Sequence, residues 1–327
     1  MRDSKLIIVT GMSGTGKSST SQQLAKQYEL NDIPCRWIHE EMENHPIRKE
    51  GEFAIDQLDT EDGMANNVVE MLSRWRALVD EIADSKQVYL MEGCFYQSII
   101  RYFFASPYTE EQIKAYYSQV LEILKPLRPT LVFLYRPQVR ESFQQAFAVR
   151  GEQWKKIILQ WEDEGYFKYH PYAGEESIYA MWEHYQHLSR EHFDQYQGYK
   201  IKLFTSDGNW HKHLQELTEF MGLSCMPRKF PSLKNPEQYA GEYILEEQGQ
   251  KHTLRFKLVD GVLCGETSWW THMTLLSLGN HEFEVLSFPI KYCFEPRKTP
   301  QTVTIIEEYG WGLSGKTFIK KNKKLHP

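Results

Sequence analysis

Short apolar runs alternate with helical patterns from residue 1 to about residue 224. The runs that predict strands are residues 6–9, 35–38, 87–91, 130–135 and 200–204. Between the second and third runs, apolar residues recur in steps of three and four from Val68 to Ile82, which indicates an amphipathic helix. This alternation favours an α/β fold, and we expect a doubly wound, five-stranded parallel sheet. Ligands of such sheets bind at the edge where the strands end.

The ends of two further helices are marked by capping signals. Thr109 followed by Gln112 forms a capping box, and Pro126 ends the helix that this box opens. Residues 210–221 are amphipathic, and Gly222 fits the left-handed position that ends many helices. Both segments are therefore expected to pack against the sheet.

The pattern changes after Cys225. Prolines at positions 227, 231 and 236 punctuate a short segment, as they do in linkers. Beyond it apolar and polar residues alternate, and tight turns such as Asp260-Gly261 separate the runs. About seven short strands predict a small antiparallel barrel or sandwich. We therefore expect an α/β domain over residues 1–224, a linker over 225–236 and a β module over 237–327.

A phosphate-binding pattern lies between the first predicted strand and the first predicted helix. Residues 11–18, G-M-S-G-T-G-K-S, match the Walker A pattern G-x-x-x-x-G-K-[ST] in the context that this motif requires. Its glycines let the backbone curl tightly and turn N–H groups toward an anion. The residues expected to bind the nucleotide are Gly11, Met12, Ser13, Gly14, Thr15, Gly16, Lys17, Ser18 and Ser19.

Two side chains of this loop have separate expected roles. Lys17 supplies a positive charge to the β- and γ-phosphates, and the Ser18 hydroxyl is placed to bind Mg²⁺. A GTP site would also need an N-K-x-D sequence, and the only Asn-Lys pair is Asn322-Lys323 in the C-terminal tail. The sequence therefore predicts a site for ATP and Mg²⁺.

The same pattern occurs a second time, over residues 310–317. A strand-like run precedes it, and Phe318, Ile319 and Lys320 continue as another strand-like run. Because no helix follows, the phosphates would gain no helix dipole, and we predict a glycine-rich hairpin at this position.

Carboxylates follow the second and third predicted strands. The third strand ends at Glu92 and Gly93, and third strands of such sheets usually lie beside the first. Glu92 is therefore a candidate Mg²⁺ ligand or general base. Glu40 and Glu41, just past the second strand, are alternative bases. Each of the three is otherwise expected to be a solvated loop carboxylate.

The first 224 residues resemble the nucleoside- and nucleotide-kinase branch of P-loop proteins. The resemblance rests on the Walker A loop, the Glu92-Gly93 pair, the fourth strand "LRPTLVFLY" and the "FAVRGEQWKK" segment. It implies transfer of the γ-phosphate of ATP to a hydroxyl or phosphate of a small molecule, beneath a mobile lid. Arg150 would be the catalytic arginine of that lid. Thymidylate kinases carry Asp-Arg and deoxynucleoside kinases Glu-Arg-Ser where this chain has Glu92-Gly93-Cys94, so the acceptor class stays open.

The acceptor site of this branch often follows the second strand. Residues 40–47 are polar and acidic there, and we predict Glu40, Glu41 and His45 as substrate-binding residues. Arg101, inside an apolar run, is a further candidate because a buried arginine needs an anionic partner. An ordinary loop hydrogen bond for His45 and a structural ion pair for Arg101 are the alternatives.

Composition excludes several other classes of function. The chain has 327 residues and a net charge of −6, which argues against nucleic acid as a partner. Its five cysteines form no C-x-x-C pair, so reduced thiols and a cytoplasmic location are expected. No apolar run approaches a signal peptide or a membrane span, so no membrane partner is expected. Association into a homodimer is left open.

The β module resembles small lipocalin-like domains appended to enzymes. The resemblance rests on "YAGEYILEE", "LVDGVLCGE" and "LSLGNHEFEV", and it implies binding of a small apolar ligand or packing on the partner domain. Trp269, Trp270 and Trp311 are expected to line a cavity or to fill the core. The leading hypothesis is a small-molecule kinase whose acceptor is a nucleoside, a nucleotide or another hydroxylated small molecule. The alternatives are an ATP-dependent switch or sensor whose module binds a ligand or protein, and a degenerate nucleotide-binding scaffold.

Overall fold

A five-stranded parallel sheet forms the centre of the first compact unit. The computed structural model describes residues 4–42, 44–48, 60–96, 100, 103–104, 106–160, 174–267, 270–307 and 312–321. The strands are β1 (Leu6–Thr10), β2 (Cys35–Ile38), β3 (Val88–Glu92), β4 (Thr130–Tyr135) and β5 (Lys200–Phe204), in the spatial order β2-β3-β1-β4-β5. The predicted α/β fold class is confirmed, and the strand bounds differ from the predicted ones by one residue at most.

Seven α-helices lie among the described residues. They are α1 (Lys17–Leu30), α2 (Glu61–Asp84), α3 (Glu110–Leu124), α4 (Val139–Arg150), α5 (Glu152–Gln160), α6 (Glu175–Gln195) and α7 (Trp210–Met221). The capping box at Thr109 and Gln112 is present, and Gly222 ends α7 with φ 71°. The local signals for these two helices are therefore confirmed. No helix among the described residues is long and apolar enough to cross a membrane.

The strand register brings the ends of β1 and β3 together. Every residue of β1 is buried, as expected for the central strand of a sheet covered on both faces. Val9 pairs with Glu92, so the carboxylate that ends β3 lies beside the point where the chain leaves β1. The expectation that the third strand neighbours the first is confirmed.

The second unit contains a closed antiparallel barrel of eight strands. They are β6 (Gly241–Glu247), β7 (Gln250–Val259), β8 (Val262–Glu266), β9 (Met273–Gly279), β10 (Glu282–Val285), β11 (Ile290–Phe294), β12 (Thr302–Glu307) and β13 (Thr317–Lys320). The predicted barrel is thus confirmed, with eight strands where about seven were expected. The second Walker A match reaches into β13, which pairs antiparallel with β12, and its residues 310 and 311 lie outside the described residues.

Aromatic side chains fill the interior of this barrel. Tyr243, Phe256, Tyr292 and Phe294 are buried, and their rings meet edge to face at centroid distances of 5.0–5.7 Å. An eight-stranded barrel is just wide enough for side chains to fill it. Trp270 packs against this core, whereas Trp269 and Trp311 lie outside the described residues. Core filling is therefore the interpretation that Trp270 supports.

The chain divides into two compact units. The first is Met1–Ala146 with Lys155–Met226, and the second is Phe147–Trp154 with Pro227–Pro327. Part of the segment predicted as a linker lies on the barrel. Arg228 donates a 2.5 Å hydrogen bond to the buried Glu284 carboxylate, and Leu233 packs against the barrel core.

Candidate active site

The loop between β1 and α1 leads into a candidate anion-binding site at the start of α1. Gly16 is the N-cap of α1 with φ 89°, and no side chain caps this helix end. The first turn of α1 also carries no acidic residue. The first N–H groups of a helix lack partners within it, so an uncapped start can bind phosphate. Position 11 of the loop requires glycine, because a Cβ there would lie 2.8 Å from Thr15 Oγ1.

Side-chain hydroxyls hold the carbonyl groups of this loop. Thr15 Oγ1 donates to the Met12 carbonyl at 2.8 Å, and Thr205 Oγ1 donates to the Thr15 carbonyl at 3.1 Å. Tyr185, on α6, donates its hydroxyl to the Gly11 carbonyl at 3.3 Å. With these carbonyls occupied, the loop conformation is fixed before any ligand arrives. This preorganisation is what an anion-binding nest requires.

Lys17 is buried at the base of the loop. Its side chain is 5% exposed, and its ammonium donates to the Met12 carbonyl at 3.3 Å. A buried ammonium is costly unless an anion accompanies it. The remaining predicted nucleotide-binding residues occupy the same segment: Met12 and Ser13 are buried, and Ser19 lies in the first turn of α1.

Glu92 is fully buried, with one carboxylate oxygen engaged and one without a partner. Ser18 Oγ donates to Oε1 at 3.1 Å, and the Glu40 backbone N–H approaches the same oxygen at 3.5 Å. The Nε2 atom of His39 lies 3.2 Å from Oε1. The second oxygen, Oε2, is buried and has no hydrogen-bond partner among the described residues. The hydroxyl and the carboxylate predicted to share Mg²⁺ are therefore neighbours.

Glu40 reaches the same place because residue 93 is glycine. Gly93 has φ 77°, and a Cβ at this position would lie 2.8 Å from the Glu40 Cβ. Its absence makes room for the Glu40 side chain, whose Oε2 is buried and lacks a partner among the described residues. The Glu92-Gly93 pair thus supplies one carboxylate and the space for another.

The charges of this group favour a cation. Burial raises the pKa of Glu92, and the positive charge of Lys17 opposes that shift. Burial also raises the pKa of Glu40, and the charge of Glu92 raises it further. A buried and a half-buried carboxylate with raised pKa values are stabilised in their ionised forms by a divalent ion.

These residues fit Mg²⁺ better than a metal held by protein alone. No group of three or more His, Cys, Asp or Glu residues in the described ranges could hold a metal ion. Mg²⁺ is usually bound by one or two carboxylates together with waters and substrate phosphates. The Ser18 hydroxyl and the free oxygens of Glu92 and Glu40 provide such a partial set.

Glu41 and His45 have partners in their own loop. Arg48 forms an ion pair with Glu41 and donates to the Glu40 carbonyl at 2.8 Å. His45 Nδ1 accepts from the backbone N–H groups of Ile47 at 3.0 Å and Arg48 at 2.9 Å. Burial lowers the pKa of His45 to about 3, so its ring is neutral at pH 7. These contacts order the loop that carries Glu40.

The two predicted arginines are placed differently. In the second unit, the Arg150 guanidinium lies 4.5 Å from the ring centroid of Trp154 and 4.8 Å from that of Trp270. Such distances are typical of cation–π contacts. Arg101 lies outside the described residues.

Three residues of the site were missed by the sequence analysis. His39 is buried, and its Nδ1 accepts from the Glu41 N–H at 3.1 Å, which leaves the proton on Nε2, the nitrogen that faces Glu92. The only signal was a histidine directly after the second strand. Tyr185 and Thr205 support the phosphate loop from 174 and 190 residues away, and no local pattern marks them.

Comparisons with known proteins add little to this geometry. No protein-family model and no curated protein sequence matches the chain. The unliganded structure of a sugar kinase from Janibacter sp. has 13% sequence identity and a TM-score of 0.38, with 68% of this chain and 96% of that chain covered. YorR protein from Bacillus subtilis, solved with phosphorylated GDP, has 13% identity and a TM-score of 0.36, with 66% and 95% covered. At these TM-scores neither likeness carries an argument about function.

Proposed function

We propose that the protein is a kinase that transfers the γ-phosphate of ATP to a hydroxyl group of a small molecule in the presence of Mg²⁺. One observation carries the proposal: an uncapped helix start with φ 89° at Gly16 lies next to a buried Lys17 and to the Ser18–Glu92 hydrogen bond. An anion-binding nest, a cation and a partial Mg²⁺ site are the parts that phosphoryl transfer needs.

Each part has a role in binding the nucleotide. The N–H groups of the loop and of the first turn of α1 would bind phosphate oxygens, and Lys17 would neutralise part of their charge. Ser18 and Glu92 would hold Mg²⁺, which when bound aligns the phosphates and offsets their charge. His39 Nε2 and the Glu40 N–H lie close to the other Glu92 oxygen, Oε1, and would orient the carboxylate.

Glu40 is the better candidate for the general base. Its Oε2 lacks a partner in the described structure, as Oε2 of Glu92 does, but Glu92 is the carboxylate that Ser18 joins at the proposed Mg²⁺ site. Burial and the charge of Glu92 raise the pKa of Glu40, which brings a carboxylate closer to the pKa that suits a base at neutral pH. Glu40 would accept the proton of the acceptor hydroxyl as the phosphoryl group is transferred.

A switch or sensor is the second reading of the nucleotide site, and it has less support. It follows from the expectation that the barrel binds a ligand or a protein. The described barrel interior is filled by its own aromatic side chains, including Phe256 and Phe294. This packing concerns the barrel interior alone, so kinetics must separate a kinase from a switch whose barrel binds a partner on its surface.

The test is release of ADP across a library of hydroxylated metabolites. A kinase shows ADP release that rises with one class of acceptor, and a switch shows only basal hydrolysis. Lys17→Ala is the blank. Glu92→Gln and Glu40→Gln should each lower kcat by about 10²–10⁴-fold while ATP binding changes far less. Exposed Glu122→Gln, whose partner is Lys125, is the matched control and should leave kcat unchanged. Acceptor-independent turnover in all these variants would contradict the proposal.

A further inference from the structure

Several buried polar atoms without partners belong to residues on α6 or in contact with it. The Tyr96 hydroxyl, Trp182 Nε1 and both ring nitrogens of His192 have no hydrogen-bond partner among the described residues. Their side chains are only 0–6% exposed. Native proteins satisfy nearly all buried polar groups, with protein, water or ligand. A cluster of unsatisfied ones in one place therefore indicates that something polar binds there.

One face of α6 carries most of this cluster. Trp182, Tyr185 and His192 are spaced by three and seven residues, so they lie on the same side of the helix. The rings of Trp182 and Tyr185 are 5.0 Å apart. Because the Tyr185 hydroxyl donates to the Gly11 carbonyl at 3.3 Å, this face of α6 lies against the phosphate loop.

Tyr96 continues the cluster toward the carboxylates. It follows Glu92 by four residues along the chain, just past the end of β3. Its ring stacks on His192 at 5.8 Å with an interplanar angle of 26°. On the other side of the same region, the charge of Glu40 acts on Tyr185. Flat aromatic faces, N–H and O–H donors and a candidate base therefore meet in one part of the first unit.

The charges in this cluster disfavour an anionic ligand. Burial lowers the pKa of His192 to about 4, so its ring is neutral at pH 7 and offers one donor and one acceptor. Lys114 is near enough to act on His192, but it is paired with Glu191 at 3.0 Å. Among the described residues, no hydrogen bond from Lys or Arg reaches Tyr96 or Tyr185. A phosphate group would normally be bound by arginine.

From this geometry we infer that Tyr96, Trp182, Tyr185 and His192 line the acceptor pocket, and that the acceptor is an uncharged, hydroxylated molecule with a flat face. A nucleoside or a free sugar meets this description, and a phosphorylated acceptor does not. The inference rests on the proposed kinase function only in calling the bound molecule a phosphate acceptor. Binding of an uncharged ligand at these residues does not depend on catalysis.

The test uses substitutions that remove a polar atom and keep an aromatic ring. Tyr96→Phe, Trp182→Phe and His192→Phe delete groups that have no partner, so the fold should tolerate them. Tyr116→Phe is the matched control, because the buried Tyr116 hydroxyl accepts a 3.0 Å hydrogen bond from Trp75. That control should lose stability without any effect on ligand binding.

Binding is measured by thermal shift and calorimetry on the full chain, in wild type and in Lys17→Ala. The probes are nucleosides and free sugars, each beside its own monophosphate. We expect one neutral compound to bind at least tenfold more tightly than its phosphate ester, and Tyr96→Phe or Trp182→Phe to weaken it about tenfold. Comparing the nucleosides with the free sugars shows which of these two classes of neutral compound the pocket binds.

Three results would overturn the inference: a preference for the phosphate esters, no binding by any neutral compound, or unchanged binding in all three variants. Failure of the kinase proposal looks different. A neutral compound that binds and loses affinity in these variants, yet never stimulates ADP release, leaves the pocket in place and refutes phosphoryl transfer.

Discussion

Burial of Glu92 has a consequence for stability as well as for catalysis. Its raised pKa means that the folded state favours the protonated carboxyl, so ionisation at neutral pH opposes folding. This effect of Glu92 ionisation on the free energy of unfolding is absent below the unfolded-state pKa of about 4.3, where the carboxyl is protonated in both states. It becomes unfavourable as pH rises through the raised folded pKa, and it is constant above that value.

Glu92→Gln should therefore stabilise the ligand-free protein at pH 8, although it lowers turnover. The gain in Tm relative to wild type should shrink as pH falls and vanish near pH 4. Thermal unfolding from pH 4 to pH 8 without Mg²⁺ checks this, with exposed Glu122→Gln as the control. A Glu92→Gln protein less stable than wild type at pH 8 would contradict the assigned direction of the pKa shift.

Residues of the site differ in how far the sequence could identify them. Lys17 and Ser18 belong to a motif whose spacing encodes their roles. Glu92 could be proposed because it ends a strand expected beside the first. His39 could not, since its contact with Glu92 joins positions 53 residues apart through strand register. Local patterns identify residues whose roles follow from their sequence neighbours. They miss residues that reach the site only through tertiary contacts.

At the scale of elements, a substitution in the turn after β3 tests how Glu40 is brought to the site. Gly93→Ala introduces backbone strain at φ 77° and a methyl group 2.8 Å from the Glu40 Cβ. Gly208→Ala is a matched control, because Gly208 has φ 65° and nothing within 4 Å of an added Cβ. Both variants should lose about 1–3 kcal/mol from backbone strain.

Only Gly93→Ala should also displace Glu40. We expect it to be less stable than Gly208→Ala and to lose most of its kinase activity, whereas Gly208→Ala keeps a near wild-type kcat. Urea unfolding and steady-state kinetics on both variants measure the difference. Equal losses in the two variants would show that the space left by Gly93 has no special use.

Most helix and strand positions could be predicted from short sequence patterns. The capping box at Thr109 and the glycine at 222 fixed helix ends correctly, because capping depends on a few neighbouring residues. The extra barrel strand was not counted, since the short apolar runs of the β module differ little from their turns in composition. Barrel closure depends on strand tilt and stagger, which single segments do not encode.

At the scale of the whole molecule, the barrel unit includes the segment that precedes it. Glu284 is nearly buried and its partner Arg228 is 14% exposed, so removing one of them leaves a poorly solvated charge. Glu284→Leu should cost about 3–5 kcal/mol. The double variant Arg228→Met with Glu284→Leu should cost less than Glu284→Leu alone, because no charge is then left unpaired. A urea-unfolding double-mutant cycle measures this, and a double variant as unstable as the sum of the single ones would contradict it.

The central claim is that the first Walker A loop, and not the second match, binds a triphosphate. Calorimetric titration with Mg²⁺ and a non-hydrolysable ATP analogue tests it most directly, on wild type, Lys17→Ala and Lys316→Ala. Lys316 occupies the lysine position of the second match and forms an ion pair with Glu247. We predict that Lys17→Ala weakens binding about 10- to 100-fold and that Lys316→Ala leaves it unchanged. Absence of binding to wild type, or equal binding by wild type and Lys17→Ala, would contradict the account.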